Sequence, residues 1–122
     1  MRYWTLDEAN AALPRVAALL ERVRAATAEV RADAEAARER ASGNGHGSPA
    51  DSPPDVVREA VAELAADGIV LRDLERGLVD FPARAGDGRA FWLCWQAGED
   101  RIAWWHWPED GFAGRRPISE LP

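Results

Sequence analysis

The chain has 122 residues, 47% of them apolar and 30% charged, with a net charge of −6. That length points to one domain over residues 1–122, with a core of its own and much wet surface. The acidic balance argues against nucleic-acid backbones and anionic membranes, both of which select clustered positive charge.

All 15 basic residues are arginine, which with the abundant alanine reads as the coding bias of a GC-rich genome. A single cysteine excludes an internal disulfide and fits a reducing, cytoplasmic compartment. The opening "MRYWTLDEAN" turns acidic too early for a signal peptide. No apolar run approaches the roughly 20 residues that span a bilayer.

"TLDE" at Thr5–Glu8 reads as a capping box opening a short helix through about Leu13. Pro14 cannot donate the next ladder bond, so a kink or a new helix is expected there. From Pro14 to Ala41 nothing breaks a helix. Val16, Leu20, Val23, Thr27, Val30, Ala34, Ala37 and Ala41 alternate spacings of four and three, a heptad seam that predicts lengthwise packing, as in a coiled coil. Residues 42–54, "SGNGHGSPADSPP", read as a linker. Ser52 and Pro53 start a second helix with Val57, Val61 and Leu64 as its apolar stripe, and Gly68 ends it. At ~1.5 Å per residue the long helix spans roughly 42 Å and the second roughly 22 Å, so the tip of the first overhangs.

"IVLRDL" (Ile69–Leu74) and "GLVDFP" (Gly77–Pro82) read as short strands, with Pro82 at an end or an edge. "AFWLCW" and "IAWWHW" are aromatic strands joined by "QAGEDR". Residues 108–122 read as an irregular C-terminal loop. The fold class is α+β: a helical hairpin over about 5–67, then a small, mostly antiparallel sheet over about 69–107.

Five of the six tryptophans lie between Phe91 and Trp107, with Cys94 and His106 among them. Both faces of this hairpin are rich in apolar residues, so the helices cover one face. A second copy, the C-terminal loop or a ligand is expected over the other. An even loop, about Gly98–Arg101, sets Leu93 opposite His106 and Cys94 opposite Trp105. Cys94 and His106 then occupy opposite faces; a one-residue slip brings them together. The even loop is the expectation.

The strings "TLDEANAALP", "GLVDFPA", "LCW" followed by "GE" and "WH", and "GFAGRRPI" carry a resemblance. The chain resembles a family of small bacterial proteins classed only as a domain of unknown function, over nearly its whole length except residues 42–54. The resemblance implies a helical hairpin followed by this β segment, and no catalytic residue. Trp107 stands where the resemblance leads one to expect an acidic residue directly after His106.

Asp80 alternates against Val79 and Phe81, and a carboxylate in so apolar a strand needs partners. The bland reading is a pair with an arginine such as Arg76, Arg115 or Arg116, or a turn cap; the functional one is an active-site base or ligand. His106 among tryptophans is either a satisfied core histidine, or a general base or metal ligand. Cys94 reads as a small buried hydrophobe, and His46 as incidental. Glu109, Asp110, Arg115 and Arg116 in the last loop are solvated or paired unless they hold a ligand. No nucleophile elbow, P-loop, dinucleotide glycine pattern, cysteine-pair site or HExxH is present. A mononuclear metal site would have to combine His106 with Asp80, Cys94 or loop carboxylates; these lack local ligand spacing, so no residue is assigned as a metal ligand. No cofactor can be named.

Three functions remain. The leading one is a self-associating scaffold, a homodimer joined through the long helix and the sheet. The second binds a small molecule through Trp92, Trp95, Trp104, Trp105, Trp107, Arg115 and Arg116, since tryptophans stack on planar or cationic ligands. The third is an enzyme with Asp80 and His106 as an acid–base pair or a metal site, which demands that both side chains converge on one pocket.

Overall fold

A computed structural model describes residues 2–40 and 55–122. The expected linker, the Ser52–Pro53 helix start, Ala41 and His46 lie outside the described residues. The elements in chain order are α1 (Leu6–Arg40), α2 (Asp55–Ala66), β1 (Val70–Asp73), β2 (Leu78–Arg84), β3 (Ala90–Gln96), β4 (Trp104–His106) and β5 (Arg116–Pro117). The strands form one antiparallel sheet in sequence order, and the fold is α+β.

The capping box forms as its chemistry dictates. The Glu8 amide donates to the Thr5 hydroxyl at 3.1 Å, and the Thr5 amide donates to the Glu8 carboxylate at 2.9 Å. Contrary to the sequence reading, no new helix begins at Pro14; α1 runs through it unbroken. Pro14 costs one ladder bond from Asn10, and packing on both sides outweighs that loss: Leu13, Val16, Leu20 and Val23 are all buried. The seam then stops, because Val30 is 41% exposed.

On α2 the buried stripe is Ala60 and Leu64 with Val57 partly covered, while Val61 is 40% exposed. Val57 and Leu64 keep their expected places, and Ala60 takes the middle one expected of Val61. Gly68 ends α2 with φ +76° in a Schellman motif: the Gly68 amide donates to the Ala65 carbonyl and the Ile69 amide to the Leu64 carbonyl.

The helices cover one face of the sheet. Val79, Phe81 and Ala83 on β2, Phe91, Leu93 and Trp95 on β3, and Trp105 on β4 point toward them and are buried with Val16, Leu20 and Leu64. Trp4 meets Phe81 edge-on at 5.3 Å, and its amide donates to the Pro82 carbonyl at 2.7 Å. Contrary to the expectation of an end or an edge, β2 lies between β1 and β3 and runs on through Pro82 to Arg84; Pro82 is tolerated because it lies beyond the last residue of β2 paired with β1, so its missing N–H costs no ladder bond. The Asn10 side chain accepts from the Ile102 amide at 2.8 Å and pins the loop between β3 and β4 to α1. The C-terminal stretch is less irregular than expected: it adds β5 and two short 3-10 turns, Phe112–Gly114 and Ile118–Glu120.

Candidate functional site

Leu78, Asp80 and Pro82 on β2 share the outer face of the sheet with Trp92 and Cys94 on β3 and Trp104 and His106 on β4. The pairing of β3 with β4 corrects the expected register. Trp92 faces His106, Leu93 faces Trp105 and Cys94 faces Trp104, so the hairpin is centred on Glu99 with an odd loop. The one-residue difference puts Cys94 and His106 on the same face. Glu99 fixes that register. Its carboxylate accepts from the Gln96 amide at 2.6 Å, its carbonyl accepts from the Trp95 indole at 2.9 Å, and Arg115 donates to both carboxylate oxygens.

Asp80 and His106 come from strands two apart, roughly 9.6 Å at the usual strand spacing. Between them stands Cys94, small enough for both side chains to lean over it. His106 Nε2 lies 2.9 Å from Asp80 Oδ2, and His106 Nδ1 lies 2.9 Å from the Trp107 carbonyl. The Trp107 carbonyl accepts, so Nδ1 carries a hydrogen, and the Asp80 carboxylate favours a second one on Nε2. Asp80 is 1% exposed and His106 4%.

The partner of Asp80 is not Arg76, Arg115 or Arg116. Arg72 donates from Nε to Asp80 Oδ2 at 2.9 Å. Arg76 pairs with Asp73, and Arg115 with Glu99. Arg72 is the extra residue of a β-bulge between Leu71 and Asp73, a device that redirects a side chain. Its guanidinium lies 4.9 Å from the Trp92 ring centre, and the described residues give its terminal nitrogens no hydrogen-bond partner. Asp80 Oδ1 is buried and unpartnered.

Burial by itself raises the Asp80 carboxyl, but the hydrogen bonds from His106 and Arg72 outweigh it and hold the group below the ordinary carboxylate value. For His106 burial disfavours the charged ring, yet the bonds to Asp80 and the Trp107 carbonyl raise it above the ordinary histidine value. Burial, with the Asp80 charge adding to it, pushes the Cys94 thiol up to about 12. Cys94 is therefore a neutral thiol at physiological pH, not a free nucleophile.

These groups line a pocket of about 240 Å³ with Arg72, Leu78, Pro108, Gly111 and Phe112. The segment after β4 thus supplies one rim, as the sequence allowed. Of the residues singled out from sequence, Asp80 and His106 converge here. Trp92 and Trp104 are half-buried on the same outer face, outside the pocket lining. Trp95 and Trp105 are buried in the core, and Trp107 packs edge-on against Trp105 at 5.0 Å. Arg115 lies 5.1 Å from the Trp104 ring, and Arg116 is exposed on β5. Sequence reasoning passed over Arg72, because Val70 is the residue across from Asp80 and only the bulge brings Arg72 to it; the meeting of Cys94 with His106 was the less expected of the two registers.

No helix among the described residues is long and apolar enough to cross a membrane. Among curated proteins and among solved structures, none matches the chain. A family profile does, over residues 2–118, nearly the entire length and including every residue of the pocket. The chain therefore belongs to the family described as "Uncharacterized conserved protein (DUF2203)".

Proposed function

We propose that the protein binds a small anionic molecule, a carboxylate or a phosphate, in the pocket on the outer face of the sheet. The observation that carries this reading is the terminal guanidinium fork of Arg72, unpaired beside a pocket whose floor is the buried Asp80–His106 pair. Arg72 brings a positive charge to the pocket, and Asp80, which offsets it, in turn favours the protonated form of His106. A guanidinium fork matches the two oxygens of a carboxylate or phosphate. Leu78, Pro108 and Phe112 give the apolar wall that small-molecule sites require. Trp92 under the Arg72 guanidinium reports occupancy by its fluorescence. Titration with phosphate, pyrophosphate and short mono- and dicarboxylic acids is expected to give a saturable change with at least one, weakened roughly tenfold or more in Arg72→Gln, the scale of one charge-assisted hydrogen bond. Absence of any change up to millimolar concentrations, or equal binding by Arg72→Gln, rejects the reading.

A second reading, self-association through the helical layer, rests on Val30 and Val61, both about two-fifths exposed on adjacent helices. Sedimentation over a micromolar concentration series decides it: a single monomer mass at every concentration removes it, and a dimer that Val30→Asp dissociates supports it.

A further inference from the structure

The geometry points to a divalent transition-metal site, of the kind that takes zinc, formed by Asp80 Oδ1, Cys94 Sγ and His106 Nε2 on the floor of this pocket. It rests on the pocket being the functional site, and it names what stands in that site to meet the ligand. One donor atom from each of the three residues lies within 4.8 Å of the others, and all three residues are buried. Ions that bind nitrogen and sulfur at ~2.0–2.3 Å need only a small inward settling of atoms so disposed. The donors come from three successive strands, β2, β3 and β4, so the sheet itself holds their spacing.

The surroundings are those a metal site needs. The carbonyl of Trp107 receives the Nδ1 hydrogen of His106 at 2.9 Å, which fixes the ring and turns Nε2 toward the other donors. Asp80 Oδ2 is held by Arg72, which orients the carboxylate and leaves Oδ1 to the ion. Oδ1 is itself the independent sign: a buried carboxylate oxygen with no hydrogen-bond partner, on a residue 1% exposed. Such an atom costs free energy unless something meets it. A sulfur, a nitrogen and an oxygen together suit zinc and its neighbours rather than magnesium or calcium, which select oxygen alone.

Binding is balanced in charge. The ion displaces the proton between His106 and Asp80 and the thiol proton of Cys94, both of which pass to solvent, so the net charge of the pocket does not change. Three protein ligands leave a fourth position, the arrangement of metal sites that act on a ligand. The open side faces the pocket and Arg72. A carboxylate or phosphate oxygen fills that position while the guanidinium holds a second oxygen of the same group.

The test uses the full-length protein, stripped with a chelator and shown to be folded by circular dichroism. Zinc and cobalt(II) are titrated separately. One equivalent of zinc is expected to raise the melting temperature. One equivalent of cobalt is expected to give the near-ultraviolet thiolate-to-metal band and visible bands of tetrahedral intensity. Cys94→Ser keeps the fold, since it exchanges one small neutral group for another, and is expected to abolish the thiolate band and weaken zinc binding by roughly tenfold or more. His106→Gln is expected to weaken it similarly. A folded, stripped protein that gives no band and no thermal shift overturns the site, as does a band that survives Cys94→Ser. Phosphate and carboxylate titrations on stripped and zinc-loaded protein separate the two proposals. Anion binding without metal binding overturns the metal site alone. Metal binding with no anion binding in either form supports the metal site and overturns the anionic ligand.

Discussion

Asp80 and His106 each hold the other in its charged form, and that has a sign in pH. The His106 pKa is raised on folding, so its contribution is complete below the ordinary histidine value of about 6.5 and is lost as pH rises through the raised value. The Asp80 pKa is lowered, so its contribution is present above about 3.9 and is lost as pH falls through the lowered value. The pair therefore stabilises most between about pH 4 and 6.5. In chelator-treated protein the stability advantage of wild type over His106→Gln is expected to reach roughly 1.5–3 kcal/mol in that window, the scale of a hydrogen bond to a charged group, and to shrink above it. Urea melts at stepped pH check this; a difference that does not change with pH rejects it. That Asp80 faces away from Val79 and Phe81 was legible from alternation alone. Its partner was not, because Arg72 reaches it through a bulge, and nothing local in "VLRDL" announces an extra residue.

At the scale of elements, α1 divides into two halves with different physics. Its first half is held by packing: Val23 is 1% exposed beneath α2 and the sheet. Its second half has no such cover at Val30. At ~1.5 Å per residue α1 spans roughly 52 Å and α2 roughly 18 Å, so the described part of α2 cannot follow α1 to its end. Val23→Asp buries a charge and is expected to cost several kcal/mol, lowering the melting temperature by roughly 10 °C or more. Val30→Asp is expected to leave the melting temperature within about 2 °C if the protein is a monomer, since surface changes usually stay within ±0.5 kcal/mol. Melting curves for both variants at the concentrations used for sedimentation test this. A large loss in Val30→Asp in a proven monomer contradicts the division. The heptad spacing was legible along α1 from Val16 onward, but spacing says only which residues share a stripe. Whether the stripe is covered depends on what lies across from it.

The whole molecule is a layer of two helices on one face of an antiparallel sheet, with the pocket on the other face bordered by Pro108, Gly111 and Phe112. Stability should follow that arrangement. Amides of β2 and β3, flanked by strands on both sides and buried under the helices, are expected to exchange slowest, near the global unfolding free energy. Amides of α1 beyond Val30 are expected to exchange orders of magnitude faster than those between Leu13 and Val23. Hydrogen exchange followed by mass spectrometry checks both, and uniform protection along α1 contradicts the second. Gly77 shows how tightly the turn before β2 is closed: its φ is +67°, and a Cβ there would stand 2.5 Å from that of Ala97.

Local chemistry determined the elements: the Thr5–Glu8 box opens α1, Gly68 closes α2, and alternation separates Val79 and Phe81 from Asp80. Each of these depends on residues within a few positions of one another, so each can be read along the chain. The site cannot, because its donors are Asp80, Cys94 and His106, brought together across three strands. Whether they meet depends on the parity of one loop. There the decision falls to contacts remote in sequence: Glu99 bonded to Arg115, Ile102 held by Asn10, and Leu93 and Trp105 drawn together into the core. A side-chain period of two makes a single-residue shift reverse every face, so these remote contacts, with the burial of Leu93 and Trp105 under the helices, select between the two registers.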